Sequence, residues 1–189
     1  MTDETMVKET KGVYTSMGDV RNRISQSAMS RLSRLRLNEK ETLVALPEYK
    51  NSRRVSVFLS REDEVSTDEI VIDLLKSNKS YDMEMVKIES VVELKTLPKN
   101  SFGIREVPAS EEREDALASG GVDLMILPGL AFTATGKRLG KGKGYYDRYI
   151  LKARKVRSPI LVGIAFRQQI VPDIPVTEND IDADIVISP

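Results

Sequence analysis

Cysteine and histidine are both absent from this sequence of 189 residues. Without cysteine there is no disulfide framework, no thiolate nucleophile and no zinc–thiolate site. Without histidine, Ser-His-Asp catalysis, imidazole acid–base chemistry and His metal ligation are excluded as well. Any metal must therefore be held by oxygens, which selects magnesium or calcium over zinc. A net charge is also lacking, because 29 Lys+Arg are balanced by 29 Asp+Glu. The chain carries no global field of the kind that draws nucleic acid or a membrane surface. No apolar run approaches the roughly 20 residues that cross a bilayer. The first residues, MTDETMVKETKG, are polar and mixed in charge, with no apolar core of a signal peptide. These absences make the cytoplasm the expected location. A chain of this length forms one domain with a sizeable core: residues 1–20 read as a flexible lead-in and residues 21–189 as a single α/β domain.

What is present is concentrated in residues 128–149, PGLAFTATGKRLGKGKGYYDRY. The apolar run 122–127 leads in as a buried strand. Gly136, Gly140, Gly142 and Gly144 then alternate with Lys137, Arg138, Lys141 and Lys143, so that cations and bare backbone N–H groups converge. From Gly144 onward Tyr145, Tyr146, Tyr149 and Ile150 recur at helical spacing. A basic glycine loop between a strand and a helix N-terminus is a cradle for phosphate. The pattern is neither GxxxxGK[ST] nor GxGxxG, and a loop of solvated lysines is the plain alternative for it. The GYYD that follows sets a carboxylate and two aromatics at the start of the helix and favours a ligand site.

The rest of the chain alternates strands and helices. Residues 21–36 are basic, with an apolar stripe at helical spacing. Residues 53–59 read as an early strand, and Ser66-Thr67-Asp68-Glu69 as a capping box with Val65 and Ile70 as a hydrophobic staple. Ile70, Val71, Leu74 and Leu75 then line one helix face. A short strand is expected at 83–88, helix-like turns at 91–94 and a helix at 111–118 ended by Gly120-Gly121. Strands are expected at 159–165, 174–176 and 183–187, with Gly163 placed to admit a close ligand. Such alternation makes a three-layer, Rossmann-like α/β sandwich, with a mostly parallel central sheet and helices on both faces.

PGLAF at 128–132, GKRLGKGKGYYDRYI at 136–150, FLS at 58–60, DEVST at 63–67, MVKIES at 85–90 and PVTEND at 175–180 together resemble the 5-formyltetrahydrofolate cyclo-ligase, or methenyltetrahydrofolate synthetase, family. The resemblance runs from about residue 49 to the end. It implies conversion of 5-formyltetrahydrofolate to 5,10-methenyltetrahydrofolate with ATP as co-substrate and Mg2+ as cofactor. It implies a monomer acting on small molecules, with no nucleic-acid or membrane partner. For ATP it implies contacts from Arg138, Leu139, Gly140, Lys141, Gly142, Lys143, Gly144, Tyr145 and Tyr146, with Arg138 and Lys143 at the transferred phosphoryl group. Counting back from the Asn38–Glu39 helix start, the family's N-terminal ATP-contacting cation falls on Arg23. For folate it implies Leu59, Glu64, Phe102 and Tyr146, and for the metal Asp147 and Asp180. Three of these carry a second reading: Glu64 as a solvated loop residue, Phe102 and Tyr145 as core.

Three departures from the family pattern stand out. Thr133 occupies the place of an aspartate expected to fix the loop. Asn179 precedes Asp180 where the family has histidine. Between Lys79 and Tyr81 the family's strand with its proline and basic residue is missing, as in a shortened form. The expectation is then that MVKI is drawn inward or that a sheet edge is left unpaired. A catalytically impaired nucleotide- or folate-binding relative is the alternative function.

Overall fold

The structure is a computed structural model, and it describes residues 38–61, 64–77, 80–83, 86–87, 95–100, 105–108 and 110–189. The expectations for the lead-in, the basic segment 21–36, Arg23, the turns at 91–94 and Phe102 lie outside those residues.

The described chain opens with two short helices, α1 (Asn38–Ala45) and α2 (Pro47–Asn51), followed by strand β1 (Arg54–Val57) and helix α3 (Asp68–Lys76). Strands β2 (Ser80–Met83), β3 (Val86–Lys87) and β4 (Leu124–Leu127) come next, then a hairpin of β5 (Ala131–Phe132) and β6 (Arg138–Leu139). Helix α4 (Tyr145–Ala153), strand β7 (Ile160–Ile164), a 3-10 turn at Arg167–Gln169 and strand β8 (Ile185–Ile187) complete it. The main sheet runs β3-β2-β1-β4-β7-β8. β1 pairs in parallel with β2 and β4, as do β4 with β7 and β7 with β8; only β3 is antiparallel.

Burial explains the order. All four residues of β4, Leu-Met-Ile-Leu, are buried, as a central parallel strand requires. Its side chains alternate between two cores: Leu124 and Ile126 pack with Ile70, Val71 and Leu74 of α3, while Met125 and Leu127 pack with Tyr149, Ile150 and Ala153 of α4. α3 buries Ile70, Val71 and Leu74 of the stripe read from the sequence, and α4 buries Tyr149 and Ile150 of its stripe while Tyr145 stays exposed. The sheet is therefore covered on both faces, the expected three-layer α/β sandwich.

Several expectations change. Ser80–Met83 fills the strand position beside β1 in parallel register, Arg54 opposite Ser80 and Val57 opposite Met83. No neighbour of β1 is left unpaired, and Val86–Lys87 pairs antiparallel on the other side of β2. A strand one place from the sheet edge does not need the continuous apolar run of a central one. The capping box does not form: Thr67 is the N-cap of α3 without a side-chain cap bond. Its hydroxyl donates instead to Phe58 O at 2.7 Å, while Val65 and Ile70 do share one core cluster.

No helix forms over 111–118. There the Asp115 carboxylate accepts the Leu117 and Ala118 N–H groups at 2.7 and 3.1 Å and closes a turn in its place. Residues 174–176 are not a strand either. Ile174 is buried against Ala131 and Leu139 of the hairpin and against Val171, and Pro175 has no N–H to give a ladder. Gly163 admits Phe132 rather than a ligand, since a Cβ there would overlap the Phe132 ring.

Candidate active site

The strand order reverses between β1 and β4, and the carboxyl ends of those two strands open a cleft. In open α/β sheets this switch point is where ligands bind. The cleft encloses about 400 Å³. Phe58, Leu59, Arg61 and Glu64 form one wall, Pro128 to Leu130 the floor, and Arg138, Gly140, Lys141, Lys143 and the first turn of α4 the other wall.

The first wall hangs on Thr67. Its hydroxyl, bonded to Phe58 O, also accepts the Ser60 N–H at 3.2 Å, and its own N–H reaches Ser60 Oγ at 3.2 Å. These bonds fold the loop between β1 and α3 back on itself and set Leu59 and Glu64 at the cleft. Glu64 Oε2 accepts the Arg61 N–H at 3.0 Å, and Oε1 accepts Lys141 Nζ at 2.9 Å. Glu64 is therefore a bonded cleft residue, not a solvated one.

The opposite wall is a hairpin followed by a helix. Thr133, buried and standing where an aspartate was expected, fixes the turn with its hydroxyl: Oγ1 accepts the Lys137 N–H at 3.0 Å, and backbone bonds join Thr133 to Lys137 and Gly136. Gly136 has φ +102° and lies against the carbonyl of Ala183, where a Cβ would collide. Its role is to let the C-terminal segment dock, not to meet a ligand. Gly142 and Gly144 take φ +93° and +58°, and Gly144 opens α4. Leu139 turns into the hairpin's own core and does not line the cleft.

Arg138 enters from β6 with its side chain only 3% exposed. Nη2 donates to Asp147 Oδ1 at 2.8 Å, Nη1 lies 3.5 Å from Pro128 O, and the guanidinium stands 5.6 Å from the Tyr146 ring centre. Asp147 Oδ1 also accepts the Ile181 N–H at 3.2 Å. That bond ties the C-terminal segment at Ile181 to Asp147, whereas Asp180, expected as the second ligand, is not among the residues that line the cleft. Asp180 Oδ2 itself closes a turn on Thr177 N and Oγ1 at 2.6 and 2.9 Å. Among the described residues no cluster of three or more carboxylates forms a ready-made metal cage. The donor set suits an ion held by one or two carboxylates and otherwise by phosphate oxygens and water, the habit of magnesium.

Tyr145 is half exposed at the cleft rather than core, and Tyr146 meets it edge to face at 6.2 Å. Arg61 and Glu106 also line the cleft and carry no sequence signal of their own. The proximity of Arg61 to FLS at 58–60 could have drawn attention to it; nothing local marks Glu106.

The sequence model of the 5-formyltetrahydrofolate cyclo-ligase family matches residues 11–189. A mouse 5-formyltetrahydrofolate cyclo-ligase is 41% identical over 159 residues, 78% of each chain. A probable 5-formyltetrahydrofolate cyclo-ligase of Caenorhabditis elegans is 33% identical over 160 residues, again 78% of each chain. The NMR structure of Aquifex aeolicus 5,10-methenyltetrahydrofolate synthetase superposes with a TM-score of 0.70 at 28% identity, covering 91% of this chain and 89% of that one. The fold, the glycine–tyrosine loop at its switch point and these likenesses agree: the chain belongs to the 5-formyltetrahydrofolate cyclo-ligase family of ATP-dependent ligases.

Proposed function

We propose that this chain converts 5-formyltetrahydrofolate and ATP to 5,10-methenyltetrahydrofolate, ADP and phosphate through a phosphorylated formyl intermediate. The formyl oxygen attacks the γ-phosphorus and ADP leaves, so the formyl carbon becomes an iminium carbon bearing a phosphate ester. N10 adds to that carbon and loses its proton. Departure of phosphate then leaves the methenyl bridge between N5 and N10. No step needs a protein nucleophile, which suits a chain without cysteine or histidine. In phosphoryl transfer the protein chiefly positions the partners and neutralises charge.

The N–H groups of residues 140–144, with Lys141 and Lys143, hold the triphosphate, and Lys143 meets the transferred group. Arg138, which lines the cleft and is paired with Asp147, joins Lys143 at the transferred group. Leu59, Glu64 and Tyr146 hold the folate, with Phe102 against the pterin, and Tyr145 and Arg23 contact the nucleotide. Asp147 and Asp180 would hold magnesium, which supplies charge neutralisation at the phosphates when bound. The enzyme works as a monomer in the cytoplasm on these small molecules, without nucleic-acid or membrane partners. Among the described residues no helix is long and apolar enough to cross a membrane.

One observation carries the reading. Glu64, on the wall read as the folate side, and Lys141, on the phosphate loop, meet at 2.9 Å on a single cleft. Residues 77 positions apart in the chain thus face one another across one cleft, which supports the reading. The test is incubation with 5-formyltetrahydrofolate and Mg-ATP while methenyl absorbance is followed. Product formed in step with ADP supports the reaction. Nucleotide binding without product would make the chain a catalytically impaired binding relative instead.

A further inference from the structure

We infer that Gln169 is a positioning residue for the reaction: its buried amide holds the floor of the cleft, and through it the root of the glycine loop, so that nucleotide and folate are aligned. This rests on the reaction proposed above. Gln169 lies in the 3-10 turn after β7, is 5% exposed and does not itself line the cleft. Its Oε1 accepts the Phe166 N–H at 2.8 Å. Its Nε2 donates to Gly129 O at 2.8 Å and stands 3.4 Å from Leu130 O. Every one of these contacts is to backbone, and two of the three reach the floor. They also fix which way the amide faces, since the reverse setting would aim an oxygen at two carbonyls and a nitrogen at an N–H.

The amide joins the carboxyl ends of two neighbouring strands. Gly129 and Leu130 follow β4, Phe166 follows β7, and the Val171 N–H ties the same two segments again by donating to Phe132 O at 2.8 Å. The floor passes the constraint on. The Leu130 N–H donates to Leu139 O at 2.7 Å, and Gly140, next in the chain, begins the glycine loop. Gly140, Lys141 and Lys143 line the cleft opposite Phe58, Leu59 and Glu64. In-line transfer to the formyl oxygen needs these two walls in register, and a misplacement of about 1 Å can cost roughly 100-fold in rate. An amide suits the place because it donates at one end and accepts at the other. A carboxylate would set an anion against Gly129 O and Leu130 O, and an apolar side chain would leave the Phe166 N–H and Gly129 O without these partners.

The experiment compares Gln169→Glu with Gln168→Glu, a change at the exposed neighbour in the same turn. Two quantities are read across the neutral and mildly acidic range: kcat per folded enzyme, and the phosphorus NMR resonance of the γ-phosphate of Mg-ATP bound without folate. At neutral pH Gln169→Glu should lower kcat roughly 10–100-fold, with the affinity for each ligand alone within about threefold. It should also displace the γ-phosphate resonance. Burial and the two facing carbonyls raise the pKa of the introduced carboxyl, and once protonated it donates to Gly129 O as the amide does. The ratio of variant to wild-type kcat should therefore climb as pH falls, and the resonance should move back. Nearby charges do not supply this response: Arg138, which passes beside Gly129, is paired with Asp147, and Arg167 in the same turn is exposed. Gln168→Glu should match the wild type in both readouts. Wild-type kcat in folded Gln169→Glu overturns the inference, as does a loss that lies only in Tm and in the folded fraction. A kcat loss equal at every pH, with the resonance unmoved, overturns it too.

Should Gln169→Glu fail to unfold cooperatively at neutral pH, Gln169→Met asks the same question, since it removes the amide at similar volume. It should show the lowered kcat and the displaced resonance at every pH, and wild-type values in it overturn the inference. Wild-type protein that binds no Mg-ATP does the same. If wild-type protein binds Mg-ATP but forms no methenyl product, the proposed reaction fails and the resonance alone decides: displaced in Gln169→Met, it upholds Gln169 as the residue that positions the nucleotide, and unmoved, it overturns that role.

Discussion

Lys141 Nζ donates to Glu64 Oε1 at 2.9 Å across the cleft, and Glu64 Oε2 is already taken by the Arg61 N–H. Both oxygens of the carboxylate proposed to meet folate are thus occupied, one of them by a cation proposed to meet phosphate. Either ligand must break this pair on binding, but when both bind it is broken only once. The two substrates should therefore help each other by the free energy of the pair. Lys141 is 44% exposed, so that energy lies in the modest range of about 0.2–1 kcal/mol for solvent-facing pairs. A non-hydrolysable ATP analogue should tighten 5-formyltetrahydrofolate binding up to roughly fivefold. In Lys141→Met the tightening should vanish, because the folate then meets an already released Glu64. Equal tightening in wild type and Lys141→Met, measured by equilibrium binding, would show that the pair couples nothing.

The packing of Phe132 gives a prediction about stability alone. Its fully buried ring lies between the backbones of Gly129 and Gly163, tying the hairpin of the glycine loop to β7. A methyl group at Gly163 would overlap the ring. Gly163→Ala should destabilise by about 1–3 kcal/mol, the usual range for overpacking a core, and lower Tm by about 2–4 °C for each kcal/mol. Phe132→Leu frees space at the same place. Added to Gly163→Ala, it should cost less than its effect in the wild-type background. Strict additivity of the two changes in thermal melts would mean that the contact is not what requires glycine.

The expectations drawn from sequence succeeded where one local signal decides the outcome. β4 and β7 are apolar runs, α3 and α4 carry apolar stripes at helical spacing, and Gly144 does open α4. They failed where a distant partner decides. Gly163 answers to Phe132 and Gly136 to Ala183, and neither partner is a sequence neighbour. β5 and β6 are two residues each, too short for periodicity to show. Ser80–Met83 is polar, and its strand follows from the register that β1 offers it. For the site, the glycine loop, Leu59, Glu64, Tyr146 and Asp147 were legible as motif and do share the cleft. That Arg138 pairs with Asp147 was not, because its residue type suits phosphate and carboxylate equally.

Lys143 and Lys152 test where the phosphate cradle lies. Lys143 lines the cleft, and its carbonyl accepts Arg148 Nη1 at 2.6 Å, which ties the loop to the first turns of α4. Lys152 is exposed in the last turn of that helix. Lys143→Ala removes a charge-assisted bond worth about 1.5–3 kcal/mol and should raise the KM for ATP roughly 10–100-fold. Lys152→Ala should leave it within about twofold, since exposed changes of this kind are usually worth less than about 0.5 kcal/mol. Steady-state kinetics with folate held saturating gives the comparison. Equal KM values in the two variants would move the cradle elsewhere.

Glu39, in the first turn of α1, is 2% exposed, and neither carboxylate oxygen has a hydrogen-bond partner among the described residues. Burial pushes its carboxyl above the usual value of 4.5, opposed in part by its own backbone N–H. The folded protein therefore binds a proton there over a pH range in which the unfolded chain has released it. Stability from this group is fully present below the unfolded-state value and is lost as pH rises through the raised folded value, then stays level. Glu39→Gln removes the titration while keeping the shape. It should be more stable than the wild type at neutral pH, and the advantage should shrink as pH falls below the unfolded-state value, where both states of the wild type carry the proton. Urea melts across that range measure it. A Gln variant that is less stable than the wild type at neutral pH would mean that the carboxylate has a partner worth more than its burial.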